Sequence, residues 1–245
     1  MITVKTEKEL ELMREPCKIL RDTLLFLESK VRVGMTTKEL DKIAHDYIVS
    51  YGAKPSFLGL YGFPGSICIS IDDEVVHGIP SDRVIKDNEI VSVDVGVYLN
   101  GYHGDAARSF CMGNISPEKQ RLVKVTEECF FKGIEGIYVG STIGDIGSRI
   151  QAHAEANGYS VVREMVGHGI GRKVHEDPSV PNYGKAGTGV RIRKGMTLAI
   201  EPMINMGRHE INLNGWSCKT RDGLPSAHYE NTVAFTDDGL EILTL

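Results

Sequence analysis

The sequence predicts an α+β fold made of two similar halves in a single domain, divided roughly into 1–113 and 114–245, and three repeats carry that prediction. The phrase "VHGIPS" at 76–81 returns as "VHEDPS" at 174–179. The stretch "VGMTTKELDKIAHDYIVSYG" (33–52) lies over "VGSTIGDIGSRIQAHAEANG" (139–158), with Gly34 on Gly140, Thr36 on Thr142, Leu40 on Ile146 and Gly52 on Gly158. Further on, "IKDNEIVSVDVG" and "IRKGMTLAIEP" set Asp94 opposite Glu201. Helix, histidine phrase and carboxylate strand recur in one order, as an internal duplication leaves them.

Taken in order, Thr6 and Glu9 form a capping box ahead of a long helical pattern, with a bend expected near Pro16. The repeated segments each begin with a threonine followed three places later by an acid (Thr36/Glu39, Thr142/Asp145) and end on a glycine, which marks a helix start and stop. Ser116-Pro117-Glu118 opens a further helix in the second half. Runs rich in β-branched and aromatic residues place strands at 67–71, 89–97, 102–112, 161–166, 197–204 and 232–235. Largely antiparallel strands in two related halves put a ligand site at the axis between them.

The segment "EIVSVDVGVYLNGYHGDAARSF" fixes local geometry most firmly. Asn100-Gly101 is a hairpin turn signal between two strand-like runs. Val91, Val93, Val95 and Val97 share one face, leaving Ser92, Asp94 and Gly96 on the other. Across a two-residue loop, even-numbered positions face odd-numbered ones, so Asp94 shares its face with His103, Asp105 and Ala107. Two neighbouring carboxylates repel, and one must hold a proton unless a cation lies between them. Taken alone, the hairpin reads as a polar, solvent-facing side with two incidental acids.

Two more acids stand in strained company. Glu201 lies in the apolar "TLAIEPM", where an unpaired charge is expensive to bury, and Pro202 after it signals a strand end. Glu230 precedes the apolar strand of "HYENTVAF". His168 sits in "VGHGIG", where flanking glycines are expected to turn the chain sharply and bare the imidazole; a structural histidine is the alternative. A phosphate cradle is disfavoured, since no P-loop lysine follows. Four carboxylates and an imidazole suit two divalent first-row ions.

Composition narrows the setting. The chain has 245 residues, 41% hydrophobic and 25% charged, with a formal charge of -5, which gives no global attraction to nucleic acid or anionic membranes. The polar opening "MITVKTEKEL" lacks a secretory core, and no apolar run approaches the ~18 residues of a membrane span. Five scattered cysteines without a CxxC (Cys17, Cys68, Cys111, Cys129, Cys218) read as reduced thiols of a cytoplasmic protein.

Asp94, Asp105, His168, Glu201 and Glu230, framed by "HGIP", "DVG", "HGD", "GHGIGRKVHEDP", "IEPM" and "YENT", closely resemble the type I methionine aminopeptidases over nearly the whole chain. The resemblance implies the pseudo-two-fold "pita-bread" fold, a largely antiparallel curved sheet covered by helices, with a dinuclear metal site at its centre. Two divalent ions per subunit are implied, and cobalt, manganese, iron(II) or zinc would suit the donors. Asp94 is expected to chelate one ion, His168 and Glu201 the other, with Asp105 and Glu230 bridging. Glu201 is also the expected proton acceptor from the nucleophilic water. His77 would contact the scissile amide, and His175 the substrate carbonyl and the oxyanion it becomes.

The resemblance also assigns Cys68 and Trp216 to a pocket for the methionine side chain. In the nearby "PSFLGLYGFPGS", Phe57, Leu60 and Phe63 stand where the commonest bacterial pattern has a small or thiol residue and two tyrosines; loop core is the alternative for Phe57 and Leu60. Val174 stands where a larger aromatic is frequent. The implied activity removes the initiator methionine from nascent proteins and peptides, with a small uncharged second residue and a deformylated amine. A proline-specific peptidase of the same fold is the nearest rival, disfavoured because the first ligand comes as early as Asp94. A non-catalytic peptide-binding relative is disfavoured because no ligand is lost. The physiological metal, a monovalent cation near Asp72 and Ser226, and contact with the ribosome stay open; a monomer is the default.

Overall fold

Helices begin where the sequence offers side-chain caps. In the computed structural model of the chain, which describes residues 2–245, α1 (Glu7–Lys30) opens on Thr6, whose N–H donates to the Glu9 carboxylate while its Oγ1 accepts the Glu9 N–H. The helix continues through Pro16. α2 (Thr37–Ser50) uses the same reciprocal pair at Thr36 and Glu39. α3 (Pro117–Ile134) is capped by Ser116 and has proline at its first position, where no helical donor is lost. In α4 (Ile143–Ala156), the Asp145 carboxylate accepts both the N–H and the hydroxyl of Thr142.

The first half supplies β1 (Lys54–Pro55), β2 (Cys68–Ile71), β3 (Glu74–Val76), β4 (Ile90–Leu99) and β5 (Tyr102–Cys111). The second supplies β6 (Ser160–Val161), β7 (Gly167–Gly169), β8 (Glu176–Val180), β9 (Thr197–Ile200), β10 (Met203–Asn205), β11 (Ile211–Asn214), β12 (Ser217–Thr220), β13 (Ser226–His228), β14 (Asn231–Thr236) and β15 (Gly239–Ile242). Every pairing is antiparallel: β1-β4-β2 with β5 on β4, then β13-β10-β6, β11-β12-β3 and β15-β14-β9-β7-β8.

Each half has its own core. Leu20, Leu24, Leu27, Leu40 and Ile48 of α1 and α2 pack on the valines of β4. Leu122, Val125, Phe130, Ile146 and Ile150 of α3 and α4 pack on Leu198, Val233 and Phe235. Each fully buried side chain of this kind contributes ~1.5–3 kcal/mol, so the helices are held mainly by their apolar faces. The duplication is visible in detail: α2 and α4 each span 14 residues, and isolated bridges join Thr36 to Val84 and Thr142 to Arg191.

The halves are stitched where β5 meets β14. Glu230 N–H donates to the Ala107 carbonyl (3.0 Å), and the Asp105 N–H donates to Thr232 Oγ1 (3.0 Å), which donates back to the Asp105 carbonyl (2.8 Å). The Arg108 guanidinium reinforces this seam, donating to the Glu230 carbonyl and to Asn231 Oδ1.

Two expected strands are corrected. The run 197–204 is two strands in different sheets, because Pro202 has no N–H to continue a ladder and the chain breaks at Glu201-Pro202. The run 161–166 keeps only its start, in β6. The hairpin β11–β12 was not expected, although Gly215 at its tip (φ 59) follows an Asn214 that completes a turn signal. No helix among the described residues is long and apolar enough to cross a membrane.

Candidate metal centre

The β4–β5 hairpin has the predicted register. Asn100 and Gly101 both take positive φ (55° and 86°), as a type I′ turn requires, and Asp94 pairs with Ala107 while Gly96 pairs with Asp105. Asp94 and Asp105 are therefore diagonal neighbours on one face. Across the seam, Asn231 pairs with Ile200; extending that register by one residue sets Glu230 opposite Glu201, just past the ladder's end. His168 occupies the middle of β7, paired to Ala199 of β9.

The glycines around His168 do a different job from the one the sequence suggests. Gly167 and Gly169 lie in a strand, not in a sharp turn. A Cβ on Gly167 would fall 2.4 Å from the Ala199 carbonyl oxygen, and one on Gly169 would fall 2.2 Å from that of Asp177. Bare backbone lets β7 slide tightly between its neighbours and bring the imidazole to the acids. His168 Nδ1 contacts the Gly169 carbonyl at 2.9 Å, so it carries the proton and leaves the Nε2 lone pair facing inward.

The donor atoms converge. His168 Nε2 is 3.5 Å from Glu201 Oε1 and 3.8 Å from Asp105 Oδ2. Among the described residues, two sets of donors gather within 4.8 Å: Asp94 with His228 and Glu230, and Asp105 with His168 and Glu230. Asp105 is 4% exposed and Glu230 2%. Asp94 Oδ1, Asp105 Oδ1 and Glu230 Oε1 are buried without any protein donor. Loss of hydration drives all four carboxyls above their ordinary range, and repulsion from the neighbouring acids adds to this for Asp105, Glu201 and Glu230. The same burial lowers His168 to about 4. Acids that reject protons from solvent only at a cost, and whose lone pairs find no donor, fit divalent cations with oxygen and nitrogen ligands.

The five expected metal ligands, His77, His175, and the pocket residues Phe57, Leu60, Phe63, Cys68 and Trp216 line one cavity of about 240 Å³. The carboxylates and His168 form one end. The other is apolar: Phe57, Phe63, Cys68 and Val174 are buried together, with Leu60 and Trp216 packed against them. Phe63 meets Trp216 edge-on at 5.1 Å, and Trp216 in turn meets His77 at 6.1 Å. Burial pushes the Cys68 thiol well up, so it serves as an apolar wall. His175 lies 4.5 Å from the His168 ring. The two histidine phrases match in letters but not in backbone, since His77 takes φ 61 and His175 does not take a positive φ.

Two residues at the site were missed. Tyr61, with φ 50, stacks on His175 at 5.8 Å and 17°. His228 is 1% exposed, and its Nε2 faces Glu230 and Glu201; period-two alternation from Glu230 would have found it. His103 stays outside the donor sets, its Nδ1 on Ser56 Oγ at 2.8 Å. At the loop near Asp72 and Ser226, the Lys119 ammonium contacts both Asp72 carboxylate oxygens (2.8 and 2.9 Å), and the Asp72 carbonyl accepts the Ser226 N–H.

The profile of metallopeptidase family M24 matches residues 11–237. The chain is 57% identical to a methionine aminopeptidase of Clostridium perfringens, covering 100% of this chain and 99% of that one. Among solved structures, the methionine aminopeptidase of Rickettsia prowazekii superposes with a TM-score of 0.98 at 44% identity, covering 100% of both chains. The prolidase of Pyrococcus furiosus, at 22% identity and a TM-score of 0.81, shares the fold; 99% of this chain is covered but only 65% of that one. Full-length identity of this order, on a pita-bread fold with a carboxylate-histidine centre, settles the assignment: this chain belongs to the M24 metallopeptidases, among the methionine aminopeptidases.

Proposed function

We propose that this chain is a dinuclear metal hydrolase that removes the initiator methionine from nascent proteins and short peptides, with 1–245 acting as one catalytic domain. It prefers a small uncharged second residue and a free, deformylated α-amine. It works in the cytoplasm on chains leaving the ribosome. The observation that carries this reading is a set of buried acids, three of them with an oxygen that no protein group bonds, sharing one cavity with an apolar pocket.

Asp94 would hold one ion, His168 and Glu201 the other, and Asp105 and Glu230 both; oxygen and imidazole donors accept cobalt, manganese, iron(II) or zinc. When bound, the ions supply positive charge that makes a water nucleophilic and polarises the substrate carbonyl. The chain's own groups do the rest. The Glu201 carboxylate takes the proton of the attacking water. Burial lowers the pKa of His175 and of His77, so both rings are mainly neutral at pH 7. His175, packed between Tyr61 and His168, donates to the carbonyl oxygen as it gains charge. His77, against Trp216, holds the scissile amide and assists the leaving amine.

The pocket selects by shape and polarizability. A thioether side chain suits walls of Phe57, Phe63, Cys68 and Trp216, where sulfur lies against aromatic edges. A cavity of about 240 Å³ has room for such a side chain beside the carboxylates. The test is direct. Protein stripped by chelator and reloaded with Mn(II), Co(II) or Fe(II) should release methionine from Met-Ala-Ser and leave formyl-Met-Ala-Ser intact. Cleavage of Xaa-Pro dipeptides in place of Met-Ala-Ser would overturn the reading in favour of a prolidase-type activity.

A further inference from the structure

We propose that His228 is a direct ligand of the ion on the Asp94 side, so that each ion of the pair carries one imidazole. This rests on the dinuclear reading above and adds a residue to it. The backbone that carries the ring is anchored: the His228 main-chain N–H donates to Ser109 Oγ at 2.9 Å, and Ser109 Oγ donates to the His228 carbonyl at 2.9 Å. β13 also pairs His228 with Met203. The side chain is 1% exposed, and its Nε2 is buried with no hydrogen-bond partner. A polar nitrogen left in that condition costs stability unless something occupies its lone pair.

The distances say what that something is. His228 Nε2 lies 3.6 Å from Glu230 Oε2 and 3.9 Å from Glu201 Oε2. Both are too long for hydrogen bonds. Two donors bound at ~2.1 Å to one ion stand ~3.4 Å apart in tetrahedral geometry and ~4.2 Å apart when trans. His168 Nε2, the imidazole expected on the other ion, sits at 3.5 and 3.8 Å from its own carboxylates. The two imidazoles are thus placed alike, one toward Asp105 and Glu230, the other toward Asp94 and Glu230, with Glu230 common to both sets. A nitrogen donor on each ion shifts the Asp94 side away from an all-oxygen site and toward the softer members of the divalent series.

The experiment is X-ray absorption at the cobalt edge on protein loaded with Co(II), with metal content measured in parallel. With two cobalts bound, imidazole scattering should average one ring per cobalt. In His228→Gln it should fall to half a ring. Two cobalts with half a ring per cobalt in the unmodified protein would overturn the His228 assignment and leave the dinuclear reading intact. Fewer than two cobalts at saturation would overturn both. Because the unmodified protein alone separates these outcomes, the test stands even if the variant does not fold.

Discussion

Stripped of metal, this protein should lose stability as pH rises from 7 to 8. Carboxyl groups in an unfolded chain ionise near pH 4, so by pH 7 the unfolded state has released those protons. In the folded chain, loss of hydration pushes Asp94 up to about 7, and Asp105, Glu201 and Glu230 well above their ordinary range. A folded pKa above the unfolded value means that the folded state holds more protons across the window between them. Stability therefore falls as pH rises through that window. The histidines act in the opposite sense and elsewhere: burial lowers His168 to about 4 and His228 to about 3, so their contribution is lost only on acidification below about pH 6.5. Above pH 7 the acids set the slope together with the buried thiols, whose pKa burial also raises and which therefore act in the same sense.

One retained proton corresponds to about 1.4 kcal/mol per pH unit. For a chain of this length that is about 3–6 °C in Tm. Thermal unfolding followed by circular dichroism in chelator, at several pH values between 7 and 8, measures it. Asp105→Asn removes one buried acid and should flatten the profile. Saturating Mn(II) should reverse the slope, because the cation binds the deprotonated acids. A metal-free Tm that stays level or climbs from pH 7 to 8 would refute the electrostatic reasoning.

Other expectations are narrower. His77→Ala and His175→Ala should each lower kcat about 10²–10⁴-fold while elemental analysis finds the metal content unchanged; an emptied site in either variant would contradict its role. Trp216→Ala should raise KM for Met-Ala-Ser about tenfold with a smaller change in kcat, since it removes apolar wall from the pocket; an unchanged KM would take Trp216 out of the pocket. Gly169→Ala should lower the urea midpoint by an amount equivalent to about 3 kcal/mol, because its Cβ would fall 2.2 Å from the Asp177 carbonyl oxygen. A midpoint like that of the unmodified chain would mean that β7 and β8 can part without cost.

What the sequence revealed depended on how local the cause was. The hairpin register follows from two turn residues and strict alternation, so the shared face of Asp94 and Asp105 was legible before any coordinates. The capping boxes of α2 and α4 are likewise contained within four residues. The junction that brings Asp105 to Glu230 joins positions far apart in sequence through Thr232 and backbone contacts, and nothing local announces it. Gly167 and Gly169 could be singled out, but their purpose, close approach to β8 and β9, needed the neighbouring strands. His228 lies two residues before Glu230, and only the alternation between them marks it. The short polar strands β11 and β12 have too little apolar alternation to stand out, even beside their Asn-Gly signal.

Anomalous diffraction from crystals saturated with Mn(II) tests the central idea most directly. Two peaks about 3.5–4 Å apart, enclosed by Asp94, Asp105, His168, Glu201 and Glu230, are the predicted result. An electron-density map with no anomalous signal in that cavity, and with the same carboxylates turned toward bulk water, would contradict it.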